Sequence, residues 1–307
     1  MQPKVIIHGG AGSSLQGKGG LEAVRTSLHK IVQAVYEVLT QGGSATDAVI
    51  LGCQLLEDEP RFNAGTGSVL QSDGQIRMSA SLMDGTKQRF SGAINVSRIK
   101  NPIELAKFLQ NESDRVLSDY GAAELVRELQ FPVHNPLTDL RLNEWLQDRK
   151  DNVKRDMANV VAEEEAGRGT IGVVALDQNG QIAAGTSTGG KGFERIGRVS
   201  DSAMPAGNYA TTKAGVSCTG IGEDIIEECL AAKIVIRVTD GLSLAQAMER
   251  SIQESVQNKR DLGAISIDAT GAIAWGKSCE VLLAAYHNGT AINDTLECNP
   301  TDLVGNG

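Results

Sequence analysis

The sequence predicts an α+β fold in which two stacked β-sheets lie between outer layers of helices. Apolar, β-branched runs that are typical of buried strands cluster in residues 76–96 and again after residue 170. Pairs of amphipathic helical patterns flank these strands, at 21–56 and at 223–254. With 307 residues, the chain is long enough to bury a large core as one domain without disulfides or metals.

The first half of the chain alternates between glycine turns and regular elements. A buried strand is predicted at 4–8, and the glycine turn His8-Gly9-Gly10-Ala11-Gly12 follows it. Gly42-Gly43 ends the first predicted helix, and Ser44 is a suitable N-cap for the second. Periodicity and turn signals predict helices at 21–40, 45–56, 102–109, 120–129 and 139–150, and strands at 76–82 and 90–96.

The second half begins with a strand that follows Thr170, a turn at 177–180 and a strand that ends in residues 186–190. The remaining elements are predicted from the same signals. They are strands at 208–212, 215–219, 264–268, 272–275 and 281–286, helices at 223–238 and 243–254, and a polar tail after residue 286.

The segment 131–169 differs in composition from the rest of the chain. Pro132 and Pro136 interrupt it, and 14 of the 30 residues from 139 to 168 are charged. Apart from the surface helix at 139–150, this composition predicts a mobile linker. The linker leads directly to Gly169-Thr170, so the sequence predicts a boundary at that bond.

Composition and charge exclude several functional classes. The net charge of −9 argues against nucleic-acid binding, which requires a basic surface. No apolar stretch is long enough to span a membrane, and residues 1–8 lack the shape of a signal peptide. The five cysteines are odd in number and widely spaced, which is typical of reduced thiols. We therefore expect a cytoplasmic protein that binds neither nucleic acid nor membranes.

The glycine turn after the first strand has an alternative interpretation as a dinucleotide-binding loop. Gly10-x-Gly12 fits the start of such a loop, but Leu15 stands where the third glycine belongs. No second strand ending in an acidic residue follows about 20 residues later. The sequence favours a structural turn, and His8 is interpreted as a hydrogen-bonded structural residue.

Four motifs point to one chemistry. In Gly167-Arg168-Gly169-Thr170-Ile171-Gly172, a threonine follows a charged segment and opens an apolar run. The other three motifs are Thr186-Ser187-Thr188-Gly189-Gly190, Gly197-Arg198-Val199-Ser200-Asp201-Ser202 and Cys218-Thr219-Gly220-Ile221-Gly222-Glu223. With these motifs in this order, from His8 to about Ala285, the sequence resembles the plant-type asparaginases, also called isoaspartyl peptidases, of the N-terminal nucleophile hydrolases. The resemblance implies a four-layer αββα sandwich.

The resemblance also implies that the chain cuts itself between Gly169 and Thr170, giving an α subunit of residues 1–169 and a β subunit of residues 170–307. A threonine hydroxyl is a poor nucleophile unless a base takes its proton. A chain-initiating threonine carries its own base, because its α-amine has a pKa of about 8. That amine exists only after cleavage, so the intact chain is expected to be inactive towards substrate. Gly169 lacks a Cβ, which permits a strained backbone at the bond to be cut.

The remaining site residues are implied by the resemblance, and each has a side chain suited to its role. They are Thr170 as nucleophile, Thr188 as its hydrogen-bond partner, Thr219 and Gly220 as the oxyanion hole, Arg198 for the substrate α-carboxylate, Asp201 for its α-ammonium, Gly222 beside the substrate, and Asn63 and Gly10 as supports. A simpler interpretation is that Arg198 and Asp201 form a surface ion pair with each other.

Relatives of this kind hold a structural sodium ion on backbone oxygens and pair two processed protomers. Here the ion would be held by the carbonyls of Leu56, Glu57, Glu59, Phe62, Ala64 and Thr66. The assembly would be a dimer of αβ heterodimers. Three positions depart from the family pattern: Ser79 replaces an acidic residue, Ser200 a glycine and Ala203 a proline.

The implied activity is the hydrolysis of β-aspartyl dipeptides and L-asparagine through a threonine acyl-enzyme, with release of L-aspartate. A glycosylasparaginase is an alternative within the same class, made less favourable by the absence of an export signal. The alternative from another class is a nucleotide-binding α/β protein that shares only the glycine turns.

Overall fold

The computed structural model describes residues 1–12, 18–158 and 169–307 of the chain. The described strands are β1 Lys4–Gly12, β2 Met78–Asp84, β3 Arg89–Val96, β4 Val116–Ser118, β5 Ile171–Leu176, β6 Ile182–Thr188, β7 Asn208–Ala210, β8 Ala214–Gly220, β9 Leu262–Asp268, β10 Ile273–Lys277, β11 Val281–His287, β12 Ile292–Asp294 and β13 Val304–Asn306. The described helices are α1 Leu21–Thr40, α2 Ala45–Glu57, α3 Ile103–Leu109, α4 Asp119–Glu128, α5 Asp139–Ala158, α6 Gly222–Glu228, α7 Leu230–Thr239 and α8 Leu244–Gln257, with a 3-10 turn at Asp201–Ala203.

The strands form two sheets. The larger sheet has the order β12-β11-β1-β5-β6-β2-β3-β4, and the smaller has the order β13-β10-β9-β8-β7. β4 pairs with β3 in parallel, whereas the other described pairs are antiparallel. β5, which begins one residue after Thr170, lies between β1 and β6 in the centre of the larger sheet.

Three apolar layers separate four layers of secondary structure. One layer packs α1 and α2 on the larger sheet, the second fills the space between the sheets, and the third packs α7 and α8 on the smaller sheet. Alternate residues of β5 enter different layers: Val173 lies under the helices, and Val174 lies between the sheets. Both faces of this strand are therefore buried, which explains why its sequence is continuously apolar. The predicted α+β sandwich of the form αββα is confirmed.

The helix predicted at 223–238 is wrong as a single element. Cys229 adopts a left-handed conformation with φ 46° and separates α6 from α7. The amides of Ala231 and Ala232 donate to the carbonyls of Ala206 and Pro205, which fixes the start of α7 against the loop before β7. Apolar periodicity continues across the break, so the pattern alone does not show it.

The tail after residue 286 is not only polar coil. β12 pairs with the end of β11, and β13 pairs with β10 at the edge of the smaller sheet. Both strands have three residues, which is too short for a period of two to appear in the sequence.

Helix α5 extends further than the predicted surface helix at 139–150 and occupies much of the predicted linker. Two side chains attach it to the body of the protein. Arg141 Nε donates to the Gly67 carbonyl at 2.6 Å, and Trp145 Nε1 donates to the Gln71 carbonyl at 2.9 Å. The rest of the linker before Gly169, residues 159–168, lies outside the described residues, so its predicted mobility stays a prediction.

In the part of the chain that the structure describes, no helix is both long and apolar enough to cross a membrane.

Candidate active site

Most of the predicted site residues line one pocket, where the ends of strands from both sheets come together; Thr219, the supports Asn63 and Gly10, and the predicted cation loop do not line it. β5 starts beside Thr170, β6 ends at Thr188, and β8 ends at Gly220. The pocket is lined by Gly169, Thr170, Thr188, Gly190, Lys191, Arg198, Ser200, Asp201, Gly220 and Gly222. Seven of these ten residues were predicted to belong to the site; Gly190, Lys191 and Ser200 were not assigned a role.

The Thr170 hydroxyl is held by its neighbour in the larger sheet. Ile171 pairs with Ser187 in the antiparallel ladder, which places Thr170 beside Thr188. Thr170 Oγ1 donates to Thr188 Oγ1 at 3.1 Å, and the same oxygen accepts the Gly190 amide at 3.1 Å. Thr170 is buried, so its hydroxyl has a fixed direction and little competition from water.

The peptide bond before Thr170 is also fixed. Asn63 Nδ2 donates to the Gly169 carbonyl at 2.8 Å and to the Gly190 carbonyl at 2.6 Å. Asn63 Oδ1 accepts the Val69 amide at 3.0 Å, which sets the orientation of the side-chain amide. A donor therefore already points at the carbonyl oxygen of the predicted scissile bond.

Two glycines make this arrangement possible. Gly169 has φ 93°, a left-handed conformation that side chains disfavour. A Cβ on Gly10 would lie 3.1 Å from the Gly169 Cα, and a Cβ on Gly169 would lie 3.2 Å from the Gly10 Cα. The two backbones touch, so Gly10 supports the bond from the side of β1.

His8 bonds directly to the Thr170 backbone, and its other ring nitrogen begins a chain of buried hydrogen bonds. Its Nδ1 lies 3.0 Å from the Thr170 carbonyl, which can only accept, so Nδ1 carries the proton. Burial lowers the pKa of His8 to about 3, so the ring is neutral and Nε2 accepts from Ser217 Oγ at 3.0 Å. Ser217 Oγ then accepts from Thr186 Oγ1 at 2.6 Å. The interpretation of His8 as a hydrogen-bonded structural residue is confirmed.

Arg198 forms its ion pair with Glu223. Arg198 Nε and Nη2 donate to the two carboxylate oxygens of Glu223 at 3.1 and 2.9 Å. A Cβ on Gly222 would lie 2.5 Å from Arg198 Nη2 and 2.9 Å from Asp201 Oδ1. Gly222 therefore keeps open the space between the predicted carboxylate-binding and ammonium-binding side chains.

Asp201 is a buried carboxyl group with an unused acceptor. Burial raises its pKa to about 7, while the positive charge of Arg198 acts in the opposite direction. Its Oδ2 has no hydrogen-bond partner among the described residues. A buried, unpaired acceptor is costly for the folded chain and suits a cationic ligand such as an ammonium group.

Thr219 also carries an unused polar group. Its side chain is fully buried, and within the described part of the chain its hydroxyl has no partner. The next residue, Gly220, has φ 130°, and a Cβ there would lie 2.6 Å from both the Asp261 carbonyl oxygen and the Leu262 Cα. The free hydroxyl beside this constrained glycine fits the predicted oxyanion hole.

The predicted cation loop presents carbonyl oxygens at two glycines. A Cβ on Gly65 would lie 2.3 Å from the Glu57 carbonyl oxygen, and one on Gly67 would lie 2.9 Å from that of Phe62. No hydrogen bond from the described residues reaches the Phe62 and Ala64 carbonyls. These hard oxygen donors fit a sodium ion, whereas no cluster of three His, Cys, Asp or Glu side chains suited to a metal occurs in the described ranges.

The departures from the family pattern cause no visible strain. Ser200 has φ −85°, an ordinary value, and its hydroxyl accepts the Ser202 amide at 3.4 Å. Ser79 Oγ accepts the Asn95 amide at 3.1 Å, and Ala203 is buried beside Gly92.

Glu223 was missed by sequence reasoning. It is the last residue of the motif that begins at Cys218, and an acidic residue in the first turn of a helix is ordinarily explained by the helix dipole. Only the structure places it against Arg198.

We expect Asp201→Asn, made in the uncleaved Thr170→Ala chain, to stabilise the fold at pH 8 but much less at pH 4. The folded pKa of about 7 exceeds the ordinary 3.8, so the folded state binds the proton more tightly. The contribution of Asp201 to the stability of the parent chain should therefore fall as pH rises from about 4 to 7. That loss corresponds to about 4 kcal/mol, and Asp201→Asn avoids it because an asparagine side chain does not ionise.

Urea unfolding at both pH values measures the effect. Asp240→Asn, at an exposed position after α7, is the control. An equal gain at pH 4 and pH 8 would contradict the assignment of a raised pKa to Asp201.

The fold and this site together define the class of N-terminal nucleophile hydrolases. Thr170 directly precedes the central strand of an αββα sandwich, and a hydrogen bond from Asn63 fixes the carbonyl of the glycine before it. The chain belongs to the family described as Asparaginase, whose model matches residues 1–297.

Named relatives agree with this family. An isoaspartyl peptidase/L-asparaginase from Nostoc sp. is 71% identical, over 99% of this chain and 98% of its own. One of the same name from Synechocystis sp. is 70% identical, over 100% and 94%. A plant-type L-asparaginase from Pyrococcus horikoshii is 34% identical, over 92% and 95%.

Proposed function

We propose that this chain is a self-cleaving amidohydrolase that releases L-aspartate from β-aspartyl dipeptides and from L-asparagine. The observation that carries the proposal is that the Thr170 hydroxyl shares one pocket with Arg198, Asp201 and Gly220. The names of the relatives at 71% and 70% identity support the same two substrates.

Maturation would use the groups around Gly169. Thr170 Oγ1 attacks the Gly169 carbonyl carbon, and the hydroxyl proton passes to the Thr170 nitrogen. The bond between that carbon and the nitrogen breaks, and an ester forms on Oγ1. Asn63 Nδ2 stabilises the negative charge that develops on the carbonyl oxygen to which it already donates. Water then hydrolyses the ester, leaving a carboxylate on Gly169 and a free α-amine on Thr170.

Hydrolysis of substrate would use the new amine. It takes the proton of the Thr170 hydroxyl, which attacks the side-chain amide of the substrate. The Thr219 hydroxyl and the Gly220 amide donate to the oxyanion. The proton passes to the leaving group, which is ammonia or an amino acid. Water then releases L-aspartate from the acyl-enzyme.

The nucleotide-binding alternative is disfavoured by the packing of the glycine turn. A Cβ on Gly9 would lie 2.3 Å from the Phe62 ring, and Gly10 packs against Gly169. The backbone is thus occupied by protein where a phosphate would have to approach. A glycosylasparaginase would use the same pocket with a larger leaving group.

Assays on protein shown to be cleaved at Thr170 test the proposed function. Hydrolysis of β-Asp-Leu and L-asparagine, but not of α-Asp-Leu, is the expected result, because an α-linked peptide presents the wrong carbonyl to Thr170. Activity confined to glycosylated asparagine would favour the glycosylasparaginase instead. A single uncut band stabilised by nucleotide would favour the nucleotide-binding protein.

We also propose that a sodium ion occupies the loop 56–66, held by the carbonyls of Leu56, Glu57, Glu59, Phe62, Ala64 and Thr66. The Phe62 and Ala64 carbonyls, which accept no hydrogen bond from the described residues, support it. The ion would fix the loop that carries Asn63. Replacing sodium by tetramethylammonium should lower both activity and Tm, and indifference of both to this exchange would contradict the site.

Two further proposals concern the assembly and the compartment. We propose a dimer of αβ heterodimers, as the family resemblance implies; sedimentation at the mass of one processed chain would contradict it. A cytoplasmic location is supported by the five free cysteines. Recovery of the protein from an exported fraction of the source cells would argue against that location.

A further inference from the structure

Lys191 stands at the open end of the pocket. It lines the pocket together with Thr170, Thr188 and Asp201, all of which are buried. The Lys191 side chain, in contrast, is 40% exposed. The substrate half that carries the ammonium belongs at the buried end with Asp201, so the leaving group should extend towards solvent on the side of Lys191.

Glu223 does not engage the N–H donors of the Lys191 ammonium in a hydrogen bond. Its ion-pair contact in the described part of the chain is with Glu223 Oε1 at 4.0 Å, beyond hydrogen-bond distance. Both oxygens of Glu223 already accept from Arg198, at 3.1 and 2.9 Å. The negative charge of Glu223 is therefore engaged by Arg198, and Lys191 remains available to an anion in the pocket.

The two proposed substrates differ in one anionic group on that side. Both carry an α-carboxylate and an α-ammonium in the shared aspartyl half. In a β-aspartyl dipeptide the leaving amino acid carries a second carboxylate. Its carbon is bonded to the Cα that is attached to the scissile nitrogen. In L-asparagine the leaving group is ammonia and carries none.

We propose that Lys191 binds the C-terminal carboxylate of β-aspartyl dipeptides and so sets the preference for these peptides over L-asparagine. This inference rests on the proposed function and names a specificity-determining residue for it. Arg198 would bind the aspartyl half that all substrates share, whereas Lys191 would bind the half that only a peptide has. An exposed lysine is a mobile, well-hydrated charge, so the effect should be moderate and sensitive to salt.

The test compares β-Asp-Leu with β-Asp-Leu amide, which lacks only the C-terminal charge, and with L-asparagine. In Lys191→Met, cleaved at Thr170, kcat/KM for β-Asp-Leu should fall about five- to tenfold relative to that for the amide, mainly through KM. Lys191→Arg should keep most of the preference. Raising the salt concentration should reduce the peptide-to-amide ratio in the wild type but not in Lys191→Met.

Lys213→Met, which removes an exposed lysine between β7 and β8, is the matched control and should leave every ratio unchanged. An equal loss on all three substrates in Lys191→Met would overturn the proposal and assign Lys191 to loop structure. No change in any ratio would overturn it as well. In both cases wild-type hydrolysis of β-Asp-Leu would leave the proposed function standing; a wild type that cleaves none of the substrates would overturn both.

Discussion

Thr170→Ala should yield a full-length chain with no measurable hydrolysis of β-Asp-Leu or L-asparagine. The variant lacks the hydroxyl that attacks the Gly169 carbonyl, so the α-amine that activates the nucleophile never forms. Loss of a covalent nucleophile of this kind lowers kcat by about 10⁴-fold or more. Denaturing electrophoresis and intact mass measure cleavage, and kinetics on purified protein measure the activity.

Thr170→Ser is the matched control because it keeps a hydroxyl at the same position. It should be cleaved before residue 170 and retain part of the activity. The wild type should give one fragment ending at Gly169 and another starting at Thr170. If Thr170→Ala were cut at the same bond, an external protease would be responsible, and the proposed chemistry around Asn63 and Gly169 would be wrong.

Much of the candidate site could be predicted from the sequence because its residues lie in short motifs, at strand ends or in the loop after β6, that resemble those of one family. The hydroxyl of Thr188, the backbone of Gly220 and the side chain of Arg198 each follow directly from such a motif. The contact between Thr170 and Thr188 is a property of register: Ile171 lies opposite Ser187, so Thr170 meets Thr188. A shift of one residue would turn these side chains to the other face, and periodicity alone does not fix that choice.

Contacts between elements distant in sequence could not be predicted. The hydrogen bond from His8 to the Thr170 carbonyl spans 162 positions and depends on β1 lying beside β5. The pair of Arg198 with Glu223 joins a loop to a helix N-terminus. Neither contact produces a local pattern in the sequence, because both depend on how the layers pack against each other.

Errors in the predicted elements have a related cause. Cys229 breaks a helix whose apolar spacing runs on without interruption, because α7 must pack on the smaller sheet while α6 begins at the pocket. Conversely, the charged composition of α5 concealed the attachment of Arg141, whose side chain is 5% exposed and donates to the backbone of Gly67. In both cases tertiary hydrogen bonds determine the structure, and the local composition does not show it.

Arg198→Ala should reduce kcat/KM for β-Asp-Leu and L-asparagine together, by at least tenfold each. Both substrates present the same α-carboxylate, and loss of a buried charge-assisted contact of this kind costs about 2–5 kcal/mol. The bidentate bond to Glu223 uses one hydrogen on Nε and one on Nη2. Three of the five guanidinium hydrogens therefore remain for the substrate, so Glu223 can orient Arg198 without blocking it.

The measurement requires samples shown to be fully cleaved at Thr170, so that a maturation defect is not mistaken for a binding defect. Gly222→Ala provides a second disturbance of the same contact, since its Cβ would lie 2.5 Å from Arg198 Nη2. It should raise KM for the two substrates by factors similar to each other, as Arg198→Ala should. Normal efficiency of Arg198→Ala on both substrates, or equal cleavage of α-Asp-Leu by the wild type, would show that Arg198 does not hold the shared half of the substrate.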